Sequence, residues 1–164
     1  MSHLASITNK IVDINQLLVK VKGWKSENQL VVFTNGCFDI LHRGHVEYLA
    51  QTADRGEKLI IAVNSDASVK RLEKGEARPL QDEGSRALLI AALDFVAAVV
   101  LFDNDTPFDL INQIKPDVLI KGGDYDPNCT NKRDKKYIVG SDIVKANGGL
   151  VQVIQFVPGY STSK

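Results

Sequence analysis

The sequence predicts an α/β protein whose helices pack on both faces of a five-stranded parallel sheet. Three observations carry that prediction. Five runs, "LVVFTN" (30–35), "KLIIAVN" (58–64), "VAAVVLF" (96–102), "DVLIK" (117–121) and "LVQVIQFV" (150–157), are near-continuous in Val, Ile, Leu and Phe. Strands covered on both faces read this way, whereas half-exposed strands alternate. Helix-like segments separate the runs, so strand and helix alternate along the chain. Finally, polar clusters follow the strands: "NGCFDILHRGH" the first, "NSD" the second, "KGGDY" the fourth and "GYSTSK" the fifth. In such a sheet the carboxyl ends of the strands share one edge, and ligands bind there. A chain of 164 residues, 44% of them hydrophobic, is a single domain (1–164) with a sizeable core.

Residues 1–12 are expected as a flexible tail, and "MSHLASITNK" lacks the charged start and apolar core of a signal peptide. "INQLLVKVKGW" is helix-like, with Trp24 a packing residue. After the first strand, "HVEYLAQTA" places Val46, Leu49, Ala50 and Ala53 at the one-face spacing of a helix. "DASVKRLEK" opens on Asp66 as a cap candidate, "SRALLIAAL" on Ser85 and "TPFDLINQIK" on Thr106, with Pro107 at the first helical position. The polar, turn-rich stretch 124–140 reads as a long surface loop near the site. "SDIVKANGG" stops at Gly148. Right-handed crossovers then give strand order 3-2-1-4-5 in a Rossmann-like, doubly wound, three-layer α/β/α arrangement. That order sets the first and fourth strands side by side and brings the histidine loop next to "KGGDY".

Twenty Lys and Arg balance twenty Asp and Glu, so no basic field draws the chain to nucleic acid. Cys37 and Cys129 are too few and too far apart for a disulfide framework or a zinc knuckle, and read as reduced thiols. The longest apolar stretch, "ALLIAALDFVAAVVLF", is broken by Asp94 and reads as a helix entering a strand, not a membrane span. A cytoplasmic protein that binds neither nucleic acid nor membrane is expected.

Two of the three histidines, His42 and His45, sit three apart around Gly44 just after the first strand. A helix starting near His42 presents unpaired N–H groups and partial positive charge, a ready anion site. Residues three apart share a helix face, so both imidazoles can reach one anion. Gly36 and Gly44 leave room for a ligand to approach the backbone. The pattern suits a polyphosphate. It also suits two surface histidines on an amphipathic helix. A metalloprotease helix spaces its pair four apart as H-E-x-x-H, and no third ligand follows here. A dinucleotide fold wants G-x-G-x-x-G in this turn, which "NGCFDILHRGH" lacks.

"FTNGCFDILHRGH" strongly resembles the G-x-F-D-x-x-H-x-G-H signature of the cytidylyltransferase-like nucleotidyltransferases, and the C-terminal "STS" resembles their second phosphate loop. Over residues 30–164, "LIIAVNSDASVKRLEKGEARPL", "DNDTPFDLINQIKPDVLIKGGDY", "IVGSDIVKANGGLV" and "GYSTS" resemble the nucleotidyltransferase domain of bacterial bifunctional heptose kinase/adenylyltransferases. The chain shows no kinase part, which implies a stand-alone heptose 1-phosphate adenylyltransferase. "VPGYSTS" departs from the glycerol-3-phosphate cytidylyltransferase branch, which carries an arginine–threonine pair before its loop. The family continues through a helix after this loop, whereas the sequence stops at Lys164, which implies a loosely held loop.

The resemblance implies adenylyl transfer from ATP to a sugar 1-phosphate, with Mg²⁺ bridging the phosphates mostly through water and no direct protein ligand. It gives His42, His45 and Lys121 to the reacting phosphates. Thr34, Asn35, Gly36, Phe38 and Gly44 go to the nucleotide, and Ser161 and Thr162 to the β/γ phosphates. Asp39 either orients the loop or a metal-bound water, or caps a helix. Arg78 binds nucleotide or substrate phosphate, or is a solvated loop residue. Asn64 and Asp66 stand at the binding edge, though Asp66 also suits a cap. Gly122, Gly123, Asp124 and Tyr125 are substrate-binding candidates, Asp124 equally suited to fixing its loop. Tyr48 and Phe33 read as core. A homodimer is expected. Cytidylyl transfer to a polyol phosphate and a silent nucleotide-sensing module are the alternatives.

Overall fold

The computed structural model describes residues 1–72 and 77–160. Its elements are α1 (His3–Thr8), α2 (Ile14–Ser26), β1 (Val31–Gly36), α3 (Arg43–Ala53), β2 (Lys58–Asn64), α4 (Asp66–Arg71), α5 (Glu83–Ala91), β3 (Val96–Phe102), α6 (Phe108–Ile114), β4 (Val118–Gly122), α7 (Ser141–Ala146) and β5 (Leu150–Ile154). All strands pair in parallel in the order β3-β2-β1-β4-β5, as the sequence predicts.

Alternate residues of each strand feed two separate cores, which is why the strands are apolar throughout. Val31 and Phe33 of β1, with Ile60 and Ala62 of β2, pack under α2, α6 and α7 through Leu17, Ile111 and Val144. Val32 of β1, with Leu59, Ile61 and Val63 of β2, packs under α3 and α5 through Leu49, Ala87 and Ile90. Each Val, Leu, Ile or Phe side chain among them, taken fully out of water, contributes about 1.5–3 kcal/mol. The connections from β1 and β4 thus leave on opposite faces, and the switch point lies between these two strands. Their pairing is short: β1 matches β2 from Val31 to Gly36 but matches β4 only at Val32 and Phe33. Beyond Phe33 and Leu119 the two strands are no longer paired, and the carboxyl end of such a switch point is the crevice where ligands bind in sheets of this kind.

Several local expectations are corrected. Residues 1–12 are not a loose tail: α1 is capped by Ser2 and packs on α5, and residues 10–12 pair along the outer edge of β3. There Val12 N–H donates to Val99 O at 2.9 Å and Val99 N–H to Lys10 O at 2.8 Å. Ile7 and Ile11 drive this by packing on the core beneath α5. The cap of α4 is Ser65, not Asp66, and that of α5 is Asp82, which accepts from Ser85 N–H at 2.9 Å. Pro107 takes the cap position of α6, one place earlier than expected, and Thr106 accepts from Phe108 N–H at 3.4 Å. β5 ends at Ile154, not at 157, because its partner β4 ends at Gly122, opposite Ile154. Between β4 and α7, residues 123–140 form neither helix nor strand. Among the described residues, no helix is long and apolar enough to cross a membrane, and Cys37 and Cys129 are unbridged.

Candidate active site

The histidine pair is built by the start of α3. His42 is the N-cap, in extended backbone (φ −136°, ψ 173°), and His45 is the third helical residue. Each imidazole Nδ1 accepts the other residue's backbone N–H at 3.4 Å, a capping box made of two histidines. The rings stack with centroids 3.8 Å apart and planes 20° from parallel, and Phe38 meets His45 edge-on at 5.4 Å. A neutral imidazole whose Nδ1 accepts carries its proton on Nε2. The pair therefore offers two Nε2–H donors at a helix terminus that already favours anions. Burial, together with the charge His42 can carry, pushes His45 down to about 4. At neutral pH it is an uncharged donor.

Across the crevice, Lys121 at the end of β4 donates to Asn35 Oδ1 at 3.0 Å, and its ammonium lies 5.1 Å from the Tyr125 ring centroid. The predicted adjacency of β1 and β4 thus brings Lys121 of "KGGDY" against Asn35, near the end of β1.

Other candidate residues spend their side chains on holding the loops. Asp39 accepts from Arg78 Nη1 at 2.7 Å, Leu80 N–H at 2.8 Å and Gln81 N–H at 3.1 Å. Burial alone would raise its carboxyl, but these bonds and the guanidinium charge outweigh burial and hold it below the usual aspartate value. Asp39 and Arg78 thus form an ion pair between two loops; neither is a cap or a solvated side chain. Thr34 is fully buried and shares a 2.9 Å hydrogen bond with Tyr48, so its hydroxyl belongs to the core layer. Asn64 donates to Ser68 Oγ at 3.0 Å within the buried layer. Asp66 accepts from Arg86 at 2.8 Å. Asp124 and Tyr125 are exposed.

The two glycine sites are shaped by the C-terminal arm. A Cβ on Gly44 would lie 2.8 Å from Tyr160 Cβ and 3.0 Å from His42 Cε1. Tyr160 is pinned there by Arg43, which donates to its hydroxyl at 3.2 Å and lies over its ring. A Cβ on Gly122 would lie 2.4 Å from the Phe156 ring, which also covers Gly123 and packs on Tyr48. Here the missing side chains at Gly44, Gly122 and Gly123 accommodate the protein's own aromatics, in addition to any ligand. Ser161 and Thr162 lie outside the described residues.

Sequence reasoning missed Arg86, Phe156 and Tyr160. Arg86 carried a readable signal: it shares the buried face of α5 with Ala87, Ile90 and Ala91, so a charge falls on the apolar stripe of an amphipathic helix. Among the described residues, no group of three His, Cys, Asp or Glu could hold a metal ion.

A family model described as cytidylyltransferase-like matches residues 33–164. The chain is 50% identical over 161 residues to the bifunctional protein HldE of Campylobacter concisus, covering 97% of this chain and 30% of that protein. It is 46% identical over 159 residues to the bifunctional protein HldE of Methylobacillus flagellatus, covering 97% of this chain and 31% of that protein. The chain thus spans roughly three-tenths of the length of these curated relatives. A solved structure of a lipopolysaccharide core biosynthesis protein from Thermoplasma volcanium superposes with a TM-score of 0.59 at 26% identity, covering 79% of this chain and 97% of that one.

Proposed function

The chain belongs to the cytidylyltransferase-like family, and from that premise we propose that it is a nucleotidyltransferase carrying the adenylyl group of ATP to D-glycero-β-D-manno-heptose 1-phosphate. ADP-heptose and pyrophosphate are the products, for bacterial surface-polysaccharide precursors. The observation that carries the reading is the stacked His42–His45 pair capping α3 at the crevice between β1 and β4. The heptose branch is supported by the similarity to the HldE proteins and by the "KGGDY" and "ANGG" segments.

A sugar 1-phosphate oxygen is already ionised, so it attacks the α-phosphorus of ATP without a general base or a covalent enzyme intermediate. What the chain supplies is alignment, worth on the order of 7–11 kcal/mol in favourable cases, and fixed donors for the charge that develops on the departing pyrophosphate. His42 and His45 donate through Nε2–H, and Lys121 adds positive charge from the β4 side. The donors fit a triphosphate that brings its own cation: imidazole nitrogens and an ammonium line the crevice, and Asp39 is committed to Arg78, Leu80 and Gln81. Mg²⁺, held by phosphate oxygens and water, would neutralise part of the triphosphate charge. The reading includes cytoplasmic location and a homodimer, the latter checked by light scattering.

The test is pyrophosphate release across four nucleoside triphosphates and a set of sugar 1-phosphates. ATP with heptose 1-phosphate is expected to exceed every other pair. Faster turnover of CTP with glycerol 3-phosphate overturns the branch, and silence with every pair overturns the activity.

A further inference from the structure

Arg86 lies in α5 and bonds directly to Asn64 and Asp66, at the carboxyl-end edge of the sheet. Its side chain is fully buried, yet it carries a charge. Nε donates to Gln81 O at 3.0 Å, Nη1 to Cys37 O at 2.7 Å and to Asn64 O at 2.8 Å, and Nη2 to Asp66 Oδ1 at 2.8 Å. The acceptors come from separate stretches of chain: the loop after β1, the end of β2, the first turn of α4 and the loop entering α5. A planar guanidinium presents its N–H groups in a fixed fork, so these segments are held at set angles to one another.

The loop so held is the one that ends in His42. Cys37, whose carbonyl Arg86 grips, is two residues before Asp39. Asp39 is bonded to Arg78 and to the N–H groups of Leu80 and Gln81. Gln81 is caught from both sides, its N–H on Asp39 and its carbonyl on Arg86. Two polar knots therefore tie the histidine loop to the loop before α5, and one of them is centred on a buried cation. An isolated surface ion pair would not need such burial, and burying a charge is costly unless its partners are complete.

We propose that Arg86 is a positioning residue for nucleotidyl transfer, fixing the loop from Cys37 to His42 so that both imidazoles meet the reacting phosphates. The inference rests on the reading of the histidine pair given above. Arg86 touches no substrate; it acts through the backbone of Cys37 and Gln81.

The test compares full-length wild type, Arg86→Lys and Ile90→Ala. Lysine keeps the charge beside Asp66 but cannot span three carbonyls. Ile90 is fully buried one turn further along α5 and has no part in the knots, so its truncation loosens the same helix without touching the loop. Arg86→Lys is expected to lower kcat on the order of 10- to 100-fold with KM for ATP little changed, since misplacement by about 1 Å can cost that much. Ile90→Ala is expected to lower the melting temperature and leave kcat near wild type. Histidine ring resonances of His42 and His45 should shift in Arg86→Lys and stay in place in Ile90→Ala. Should Arg86→Lys fail to fold, Arg86→Gln takes its place. Unchanged kcat and ring resonances, equal kcat losses in the Lys and Ala variants, or failure of both Arg86 variants to fold each overturn the proposal. If wild type turns over no substrate pair, the functional reading fails on its own, and the ring resonances still report whether Arg86 sets the loop.

Discussion

His42 does two things at one position: it caps α3 through Nδ1 and offers Nε2–H outward. Its replacement by alanine therefore removes a cap as well as a donor, and loss of a cap costs about 0.5–2 kcal/mol. Asparagine separates the two, because its short carbonyl can still accept the His45 N–H. His42→Asn is expected to keep the thermal stability of wild type and lose turnover by orders of magnitude, whereas His42→Ala loses both. Activity retained in His42→Asn would make the histidine a cap only. His45 gives a pH signature. Its side chain titrates near 6.5 when unfolded and at about 4 when folded, because burial and the neighbouring His42 oppose its charge. Above pH 6.5 both states are neutral and it contributes nothing. Between pH 6.5 and 4 only the unfolded chain takes up the proton, so stability falls as pH falls across that window. Melting curves at stepwise pH should show this slope, and His45→Gln should flatten it; an unchanged slope assigns the titration elsewhere.

At the scale of elements, the start of α3 works only if nothing intrudes at Gly44. An alanine there meets Tyr160 and the His42 ring within 3.0 Å. Gly44→Ala is expected to displace the arm or the ring and reduce turnover more than it reduces stability, since the Tyr160 end can move whereas a shift of the His42 ring disturbs the proposed phosphate contact. Turnover equal to wild type would show that the arm alone yields. The opposite edge of the sheet poses a different problem. Strand edges invite pairing with other chains, and here residues 10–12 cover β3 while Ile7 and Ile11 fill the surface beneath α5. Deleting residues 1–12 should lower the melting temperature and promote self-association, read by light scattering. A monodisperse, equally stable truncation would mean that the segment contributes no protection.

Across the whole molecule, the sequence reports burial more faithfully than partnership. Strands buried on both faces announce themselves by composition, so β2 and β3 were legible to the residue, and the topology rules then placed Lys121 beside Asn35. The histidine loop was legible because its chemistry is concentrated in one segment. What stayed hidden depends on residues distant in the chain: Asp39 with Arg78, Arg86 with Cys37, and Phe156 over Gly122. No local period encodes such pairs, and α1 is too short to show an apolar stripe without the core that receives it. The same distinction shapes what ATP should do. A ligand that binds only the folded chain stabilises it by about 2.7 kcal/mol at a hundred times its Kd. For a domain of this size, each kcal/mol moves the melting temperature by about 2–4 °C. ATP with Mg²⁺ at that excess should therefore raise it by roughly 5–10 °C. If the triphosphate is gripped at the start of α3, AMP at the same concentration should stabilise less. His42→Asn should then shrink the ATP shift while leaving the AMP shift intact. Equal shifts from ATP and AMP in wild type would place the grip on the nucleoside and remove the triphosphate from the histidine pair.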